Sequence, residues 1–260
     1  ISALGDDPLG KKAIARLEEM GIATTLIETL RSAPTGEVIV RLAGTEPHYE
    51  IVSPAAWDRI SAPSEQLPKL PAIGCLVHGS LSQRSDHNRA TLDDLINHYS
   101  ETFRVFDINL RAPYGDRRRI HELAKDCDIV KVNREELCFL LEIPRVETAD
   151  LEGAALALRR KLDCNALCLT AGEEGAGLLS EDQWTWMGGL RTRVKNTVGA
   201  GDAFLACLID NWLAGERGRM RLLERAQELA AFVASRESAT PGYALAGDSR
   251  PKPYPVEKKS

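Results

Sequence analysis

The chain has 260 residues, 43% of them apolar, and a net charge of −5. That length supports a large α/β core, and the acidic balance leaves no broad electrostatic footprint for nucleic acid or an anionic membrane. No apolar run nears the ~20 residues that span a bilayer. The six cysteines, at 75, 127, 138, 164, 168 and 207, lack metal-ligand spacing and read as free buried thiols of a reducing, cytoplasmic compartment.

The first residues, Ile1 to Asp7, read as the end of a strand entering a turn, so a preceding segment of a few dozen residues is expected. A helix follows over residues 8–20: Pro8 suits its first turn, Asp6 and Asp7 its positive end, and Gly21 stops it. Three strand-like pieces at 24–29, 37–43 and 49–52 have turns but no helix between them. They predict an antiparallel flap or lid over about 22–54. The turns are Pro34-Thr35-Gly36 and Gly44-Thr45-Glu46-Pro47, and the Pro-rich stretch 62–71 reads as a surface connection.

From residue 73 the pattern becomes regular. Strands are expected at 73–77, 103–108, 129–132 and 166–170. Helices are expected around 92–99, 115–125, 134–141 and 151–162. Strands alternating with helices of this kind predict parallel βαβ units. Residues 177–180 and 185–187 read as an antiparallel hairpin at a sheet edge, followed by helices at 200–214 and 221–235. Residues 1–247 read as one domain, and the Pro- and Lys-rich residues 248–260 as a disordered tail.

In an open α/β sheet, ligands bind beyond the carboxyl ends of the strands. Four strand exits carry polar motifs. Asp107, Asn109 and Arg111 alternate, which would place them on one face of an extended chain. Asn133 and Glu136 stand at the start of a helix, where they also form a capping box. Thr170, Gly172 and Gly175 lie in a Gly-rich turn that a plain β-turn would equally explain. The fourth motif is Asn196-Thr197-Val198-Gly199-Ala200-Gly201-Asp202. Its glycines permit a tight turn and close approach to a ligand, and the helix after it leaves its first N–H groups open to an anion. Asp202 adds a carboxylate that could accept a proton. A simple helix cap is the bland alternative.

In this order and with these separations, the motifs resemble the ribokinase-like (phosphofructokinase B type) carbohydrate kinases, over about residues 1–243. Gly5-Asp6-Asp7-x-x-Gly10 adds to the likeness. Thr35-Gly36, Ala56-Trp57-Asp58 and Gly79-Ser80-Leu81-Ser82-Gln83-Arg84 resemble fructokinases in particular. The resemblance implies a three-layer α/β fold with a mostly parallel central sheet and a small β-sheet lid. The implied activity is transfer of the ATP γ-phosphoryl group to a sugar hydroxyl, of fructose or a related sugar. Asp202 would be the base, and Gly199, Ala200 and Gly201 the anion hole. Asn133, Glu136, Thr170, Gly172, Gly175, Asn196 and Thr197 would face the nucleotide, with Glu136 holding Mg²⁺ through water. Arg84, Asn109, Arg111 and Asp202 would face the sugar. A homodimer through the lid is implied. Monovalent-cation (K⁺) activation stands open, because Asn196 replaces an aspartate that the family uses there. The family's first strand and its Gly-Gly…Asn sugar-binding segment would precede Ile1, which leaves a second reading: a nucleotide-binding remnant unable to place an acceptor.

Overall fold

The computed structural model describes residues 1–43, 46–62 and 73–242, without the side chains of 40–49. The turn at 44–47 is therefore described only in part. Nearly all of the Pro-rich stretch at 62–71, and the tail at 248–260, lie outside the described residues. The chain divides into two compact units, residues 1–102 with 111–114, and residues 103–110 with 115 onward.

The first unit opens with strand β1 (Ser2–Gly5), helix α1 (Pro8–Glu19) and strand β2 (Ile27–Leu30), and β2 pairs parallel with β1. This differs from the three-piece flap expected from the sequence. α1 supplies a crossover connection, and such a connection returns the chain parallel to its starting strand. The flap proper is the antiparallel hairpin of β3 (Val38–Ala43) and β4 (Glu46–Ile51). Strand β5 (Cys75–Gly79) and helix α2 (Asp86–His98) follow. β5 starts two residues later than predicted, so His78 and Gly79 belong to the strand and not to its exit.

The Gly5-Asp6-Asp7-x-x-Gly10 motif has a structural cause. Asp7 caps α1 by accepting the Gly10 N–H at 2.8 Å. It also accepts the Thr35 N–H and the Thr35 hydroxyl, each at 2.8 Å, and the Thr35 hydroxyl accepts the Gly5 N–H at 2.9 Å. A Cβ on Gly5 would lie 2.3 Å from the Asp7 carboxylate, and one on Gly10 would lie 2.2 Å from the Gly5 carbonyl oxygen. One carboxylate thus ties β1, α1 and the turn after β2 together.

These bonds, from Thr35 first and then Gly10, hold the Asp7 carboxyl below the usual carboxylate range. A depressed folded-state value means that the stability Asp7 contributes is in place above ~pH 4, near the unfolded-chain value. It is lost as the pH falls through the lowered value. Asp7→Asn is therefore expected to melt several degrees below the parent at neutral pH, with the gap closing in acid. Thermal melts at both pH values check this; a gap of constant size would contradict it.

In the second unit, β6 (Phe103–Asp107), β7 (Ile129–Asn133) and β8 (Ala166–Thr170) pair parallel, and β9 (Gly175–Ser180) and β10 (Gln183–Gly188) continue the sheet antiparallel. The parallel pairs follow from the helices between them: α3 (Arg117–Ala124), then α4 (Arg134–Leu141) and α5 (Leu151–Leu162). Every residue of β9 and the first four of β7 and of β8 are buried, so both sheet faces are covered. The continuous apolar runs Ile129-Val130 and Leu167-Cys168-Leu169 are suited to that position. Helices α6 (Ala200–Leu213) and α7 (Arg219–Ala234) complete the unit and pack on each other. Burial pushes the thiols of Cys127 and Cys207 up to about 11, and those of Cys164 and Cys168 up to about 12. Cys127, Cys164 and Cys168 are core residues and Cys207 is half-buried, and at these values none has nucleophilic character.

Candidate active site

The site of the second unit is built on the exits of β6, β7 and β8 and on the loop before α6. β6 ends at Asp107, which is buried and lies in register with Lys131 of β7. The Lys131 Nζ donates to Asp107 Oδ1 at 3.0 Å, with the two side chains 9% and 12% exposed. A charge inside a covered strand is costly unless paired, and each of these charges is the other's counter-ion. The alternation expected to carry Asn109 and Arg111 onto the face of Asp107 stops here, because Asn109 adopts φ 43°, in the left-handed region. The reversal is secured one residue later: the Leu110 N–H donates to Glu136 Oε1 at 2.7 Å.

Glu136 also accepts the Asn133 N–H at 2.8 Å, while Asn133 accepts the Glu136 N–H at 2.8 Å. The capping box at the start of α4 is real, and its carboxylate has a second task at the exit of β6. Burial pushes the Glu136 carboxyl up, against the lowering effect of its two amide donors. Both of its oxygens are committed to backbone amides, so it suits an indirect rather than a direct contact with a cation. Among the described residues no group of three or more His, Cys, Asp or Glu side chains is arranged to hold a metal.

At the β8 exit, the Thr170 hydroxyl donates to the Val132 carbonyl at 3.4 Å. Gly172 (φ 57°) faces open space, whereas a Cβ on Gly175 would lie 2.1 Å from the Met187 carbonyl oxygen. Gly175 is thus required by the pairing of β9 with β10, whereas a side chain at Gly172 would meet nothing. Glu174 in the same turn is bound by Arg134 at 2.6 and 2.9 Å and by Thr148.

The loop 196–202 rests on the end of α7. The N–H groups of Lys195 and Asn196 donate to the Ala234 carbonyl at 2.8 and 3.2 Å. The Asn196 amide donates to the Glu237 carbonyl at 2.9 Å, and its oxygen accepts the Val198 N–H at 3.0 Å. Gly199 takes φ 83°, and a Cβ there would meet the Ala239 carbonyl oxygen at 2.6 Å. No side chain caps α6. The Ala200 N–H closes back on the Thr197 carbonyl at 3.2 Å, so the most open amides are those of Gly201 and Asp202, both exposed. An uncapped helix N-terminus of 14 residues with a carboxylate in its first turn can hold an anion and take a proton from a neighbouring hydroxyl.

The sequence pattern of the pfkB family carbohydrate kinases matches residues 1–244. The chain belongs to this family. A sugar kinase of Pyrococcus horikoshii is 24% identical over 80% of this chain and 65% of its own length. Fructokinase-2 of Solanum habrochaites is 23% identical over 96% of this chain and 79% of its own. The chain thus spans about two thirds to four fifths of the length of these relatives. Among solved structures, fructokinase with bound ATP from Xylella fastidiosa superposes with a TM-score of 0.76 at 19% identity, covering 92% of this chain and 79% of that one. Aminoimidazole riboside kinase from Salmonella enterica, complexed with aminoimidazole riboside and an ATP analogue, gives 0.76 at 24% identity, covering 92% and 80%. The fold is therefore ribokinase-like: α/β with a mostly parallel central sheet and a small antiparallel sheet.

The fructokinase-like motifs of this pfkB chain form one cluster in the first unit. Arg84 grips Asp58 with two nitrogens at 2.6 and 2.8 Å and lies 3.9 Å above the Trp57 ring and 5.0 Å from Tyr114. A Cβ on Gly36 would strike the Trp57 indole at 2.3 Å. Asn88 donates to the carbonyls of Trp57 and Ser82 at 2.7 and 2.9 Å. Arg84 is 4% exposed and only its Nη1 lacks a partner, so most of this side chain serves the cluster. Arg111 is exposed, and its carbonyl accepts the Tyr114 N–H at 2.8 Å. The sequence reading passed over Lys131. Its signal was a single lysine inside the apolar run Ile129-Val130-Lys131-Val132, whose burial demands an acid such as Asp107.

Proposed function

We propose that the chain is an ATP-dependent sugar kinase that transfers the γ-phosphoryl group to a hydroxyl of fructose or a related sugar. The observation that carries the reading is the uncapped N-terminus of α6 with Asp202 in its first turn. In the proposed step the acceptor oxygen forms a bond to the γ-phosphorus and the bridging bond to ADP breaks, its electron pair leaving with ADP. The hydroxyl proton passes to the Asp202 carboxylate. Of the expected anion hole of Gly199, Ala200 and Gly201, the Ala200 N–H is spent on Thr197, and the amides of Gly201 and Asp202 are the ones open to the charge on the transferred group. Mg²⁺, when bound, neutralises the phosphates. Asn133, Glu136, Thr170, Gly172, Gly175, Asn196 and Thr197 line the nucleotide side, with Glu136 acting on the ion through water. Arg84, Asn109 and Arg111 belong to the acceptor side. ATP-bound relatives such as the Xylella fructokinase support the nucleotide, and the fructokinase names among the relatives support the sugar.

Coupled ATP consumption across a panel of fructose, ribose, deoxyribose, 2-keto-3-deoxygluconate and nucleosides tests this. Consumption that depends on one sugar supports it. Nucleotide binding without sugar-dependent consumption would contradict it and favour the second reading, a nucleotide-binding module unable to place an acceptor.

Asn196 spends its oxygen on Val198 and its amide on Glu237, leaving no carboxylate for a monovalent cation. Turnover is expected to be equal in K⁺ and in a bulky organic cation; several-fold activation by K⁺ would show a cation site built from other groups. A homodimer through the lid is supported by Val38 and Ile39, exposed on the β3–β4 hairpin. A cytoplasmic location is the reading that the free thiols support. No described helix is long and apolar enough to cross a membrane.

A further inference from the structure

We infer that Lys131 is a phosphate-binding residue of this site, presenting its ammonium to the γ-phosphoryl group at the N-terminus of α6, with Asp107 as the residue that positions it. The inference rests on the kinase reading above and adds a residue to it.

Lys131 sits in an electrostatic conflict. A Cβ built on Gly201 would sit 3.5 Å from Lys131 Nζ, so the ammonium lies against the first turn of α6. That end of a helix carries roughly +0.5 of an elementary charge. An ammonium buried beside it is repelled, and the lysine has no solvent to screen it, because only 9% of its side chain is exposed. The flexible lysine stem would relax away unless something negative held both ends. Asp107 answers half of this demand. It accepts one of the three N–H donors of the ammonium, at 3.0 Å. Among the described residues no carboxylate but Asp107 forms an ion pair with Lys131; the buried Glu136 carboxylate feels its charge without bonding to it and spends both oxygens on backbone amides. Two N–H donors and the open amides of α6 therefore converge on one small volume, and the group that satisfies all of them is a tetrahedral oxyanion.

The register explains why position 131 carries the lysine. Asp107, Lys131 and Cys168 are neighbours across three parallel strands, so their side chains share one sheet face. Asp107 and Cys168 flank Lys131, and Asp107 alone offers an acceptor of full charge.

The test separates loss of the ammonium from loss of the fold. A Lys131→Met change alone leaves the Asp107 carboxylate buried without its counter-ion, so the informative protein is the double variant Asp107→Leu with Lys131→Met, first shown by its melting curve to be folded. Binding of ADP and of an ATP analogue with a non-cleavable β–γ bridge is then measured for parent and variant. The inference expects the analogue to bind at least ~10-fold more weakly, the scale of a lost charge-assisted hydrogen bond, and ADP to change less than twofold. Equal weakening of both nucleotides, or of neither, would overturn it. A parent that binds the analogue more tightly than ADP but consumes no ATP with any sugar would refute the sugar-kinase reading and leave Lys131 to be judged by the binding comparison. A parent that binds neither nucleotide would end both.

Discussion

Asp202→Asn is expected to leave the melting curve of the protein nearly unchanged and to lower turnover by at least ~10², the usual scale for loss of a positioned general base. The expectation of a quiet effect on stability comes from the side chain's surroundings. Asp202 is exposed and lies in the first turn of a helix that no side chain caps. Asn keeps the size and polarity and removes only the charge, which costs a fraction of a kcal/mol to ~1 kcal/mol at an exposed helix N-terminus. The large effect on turnover comes from chemistry alone: an amide cannot take the proton of the acceptor hydroxyl. Substrate and nucleotide affinities should stay within a few-fold of the parent, so the loss should appear in kcat. Turnover within threefold of the parent would remove Asp202 from the mechanism.

The second large effect is thermodynamic. Breaking the Asp107–Lys131 pair from one side, with Asp107→Leu or with Lys131→Met, is expected to destabilise the protein by ~3–5 kcal/mol, because each change strands a buried charge. Joining the two changes should recover most of that loss, since two apolar side chains beside Cys168 suit a covered sheet face. Denaturant titration of the three variants checks this as a double-mutant cycle. Additive losses in the double variant would mean that the two groups act independently, which a separation of 3.0 Å does not allow. The two predictions are independent in kind: one variant folds well and turns over slowly, whereas the single charge variants fold poorly.

Much of this architecture was legible in the sequence because burial writes itself into hydrophobic runs. Ile129-Val130, Leu167-Leu169 and the spacing of α5 declared strands and helix without ambiguity, and the helices between them forced the parallel pairing. The anion-holding loop was legible for another reason: glycine, glycine and aspartate before an apolar helix have few common uses. What stayed hidden was pairing. Nothing in Thr24 to Leu30 says whether that strand seeks β1 or the hairpin; the choice was made by α1, whose crossover sets the direction. The stripe Asp107, Asn109 and Arg111 assumed extended backbone throughout, and Asn109 breaks it with a single positive φ that asparagine tolerates better than most residues. Lys131 read as an interruption of an apolar strand, because its partner lies 24 residues away and only the sheet register brings the two together. Gly175, expected to face the nucleotide, also has a steric cause that its sequence neighbours do not show: the Met187 carbonyl leaves no room for a side chain.

The double attachment of Glu136 has a consequence for cooperativity. Its carboxylate receives one amide from the turn that opens α4 and one from the loop that leaves β6. The two loops are therefore not separate hinges. A ligand that stiffens the nucleotide-side turn spares its counterpart on the β6 exit some of the ordering it would otherwise have to supply. Linkage makes that saving reciprocal, so the second ligand returns the same factor to the first. A buried carboxylate too enclosed to reach a substrate would in this way set how strongly the two halves of a ternary complex favour each other.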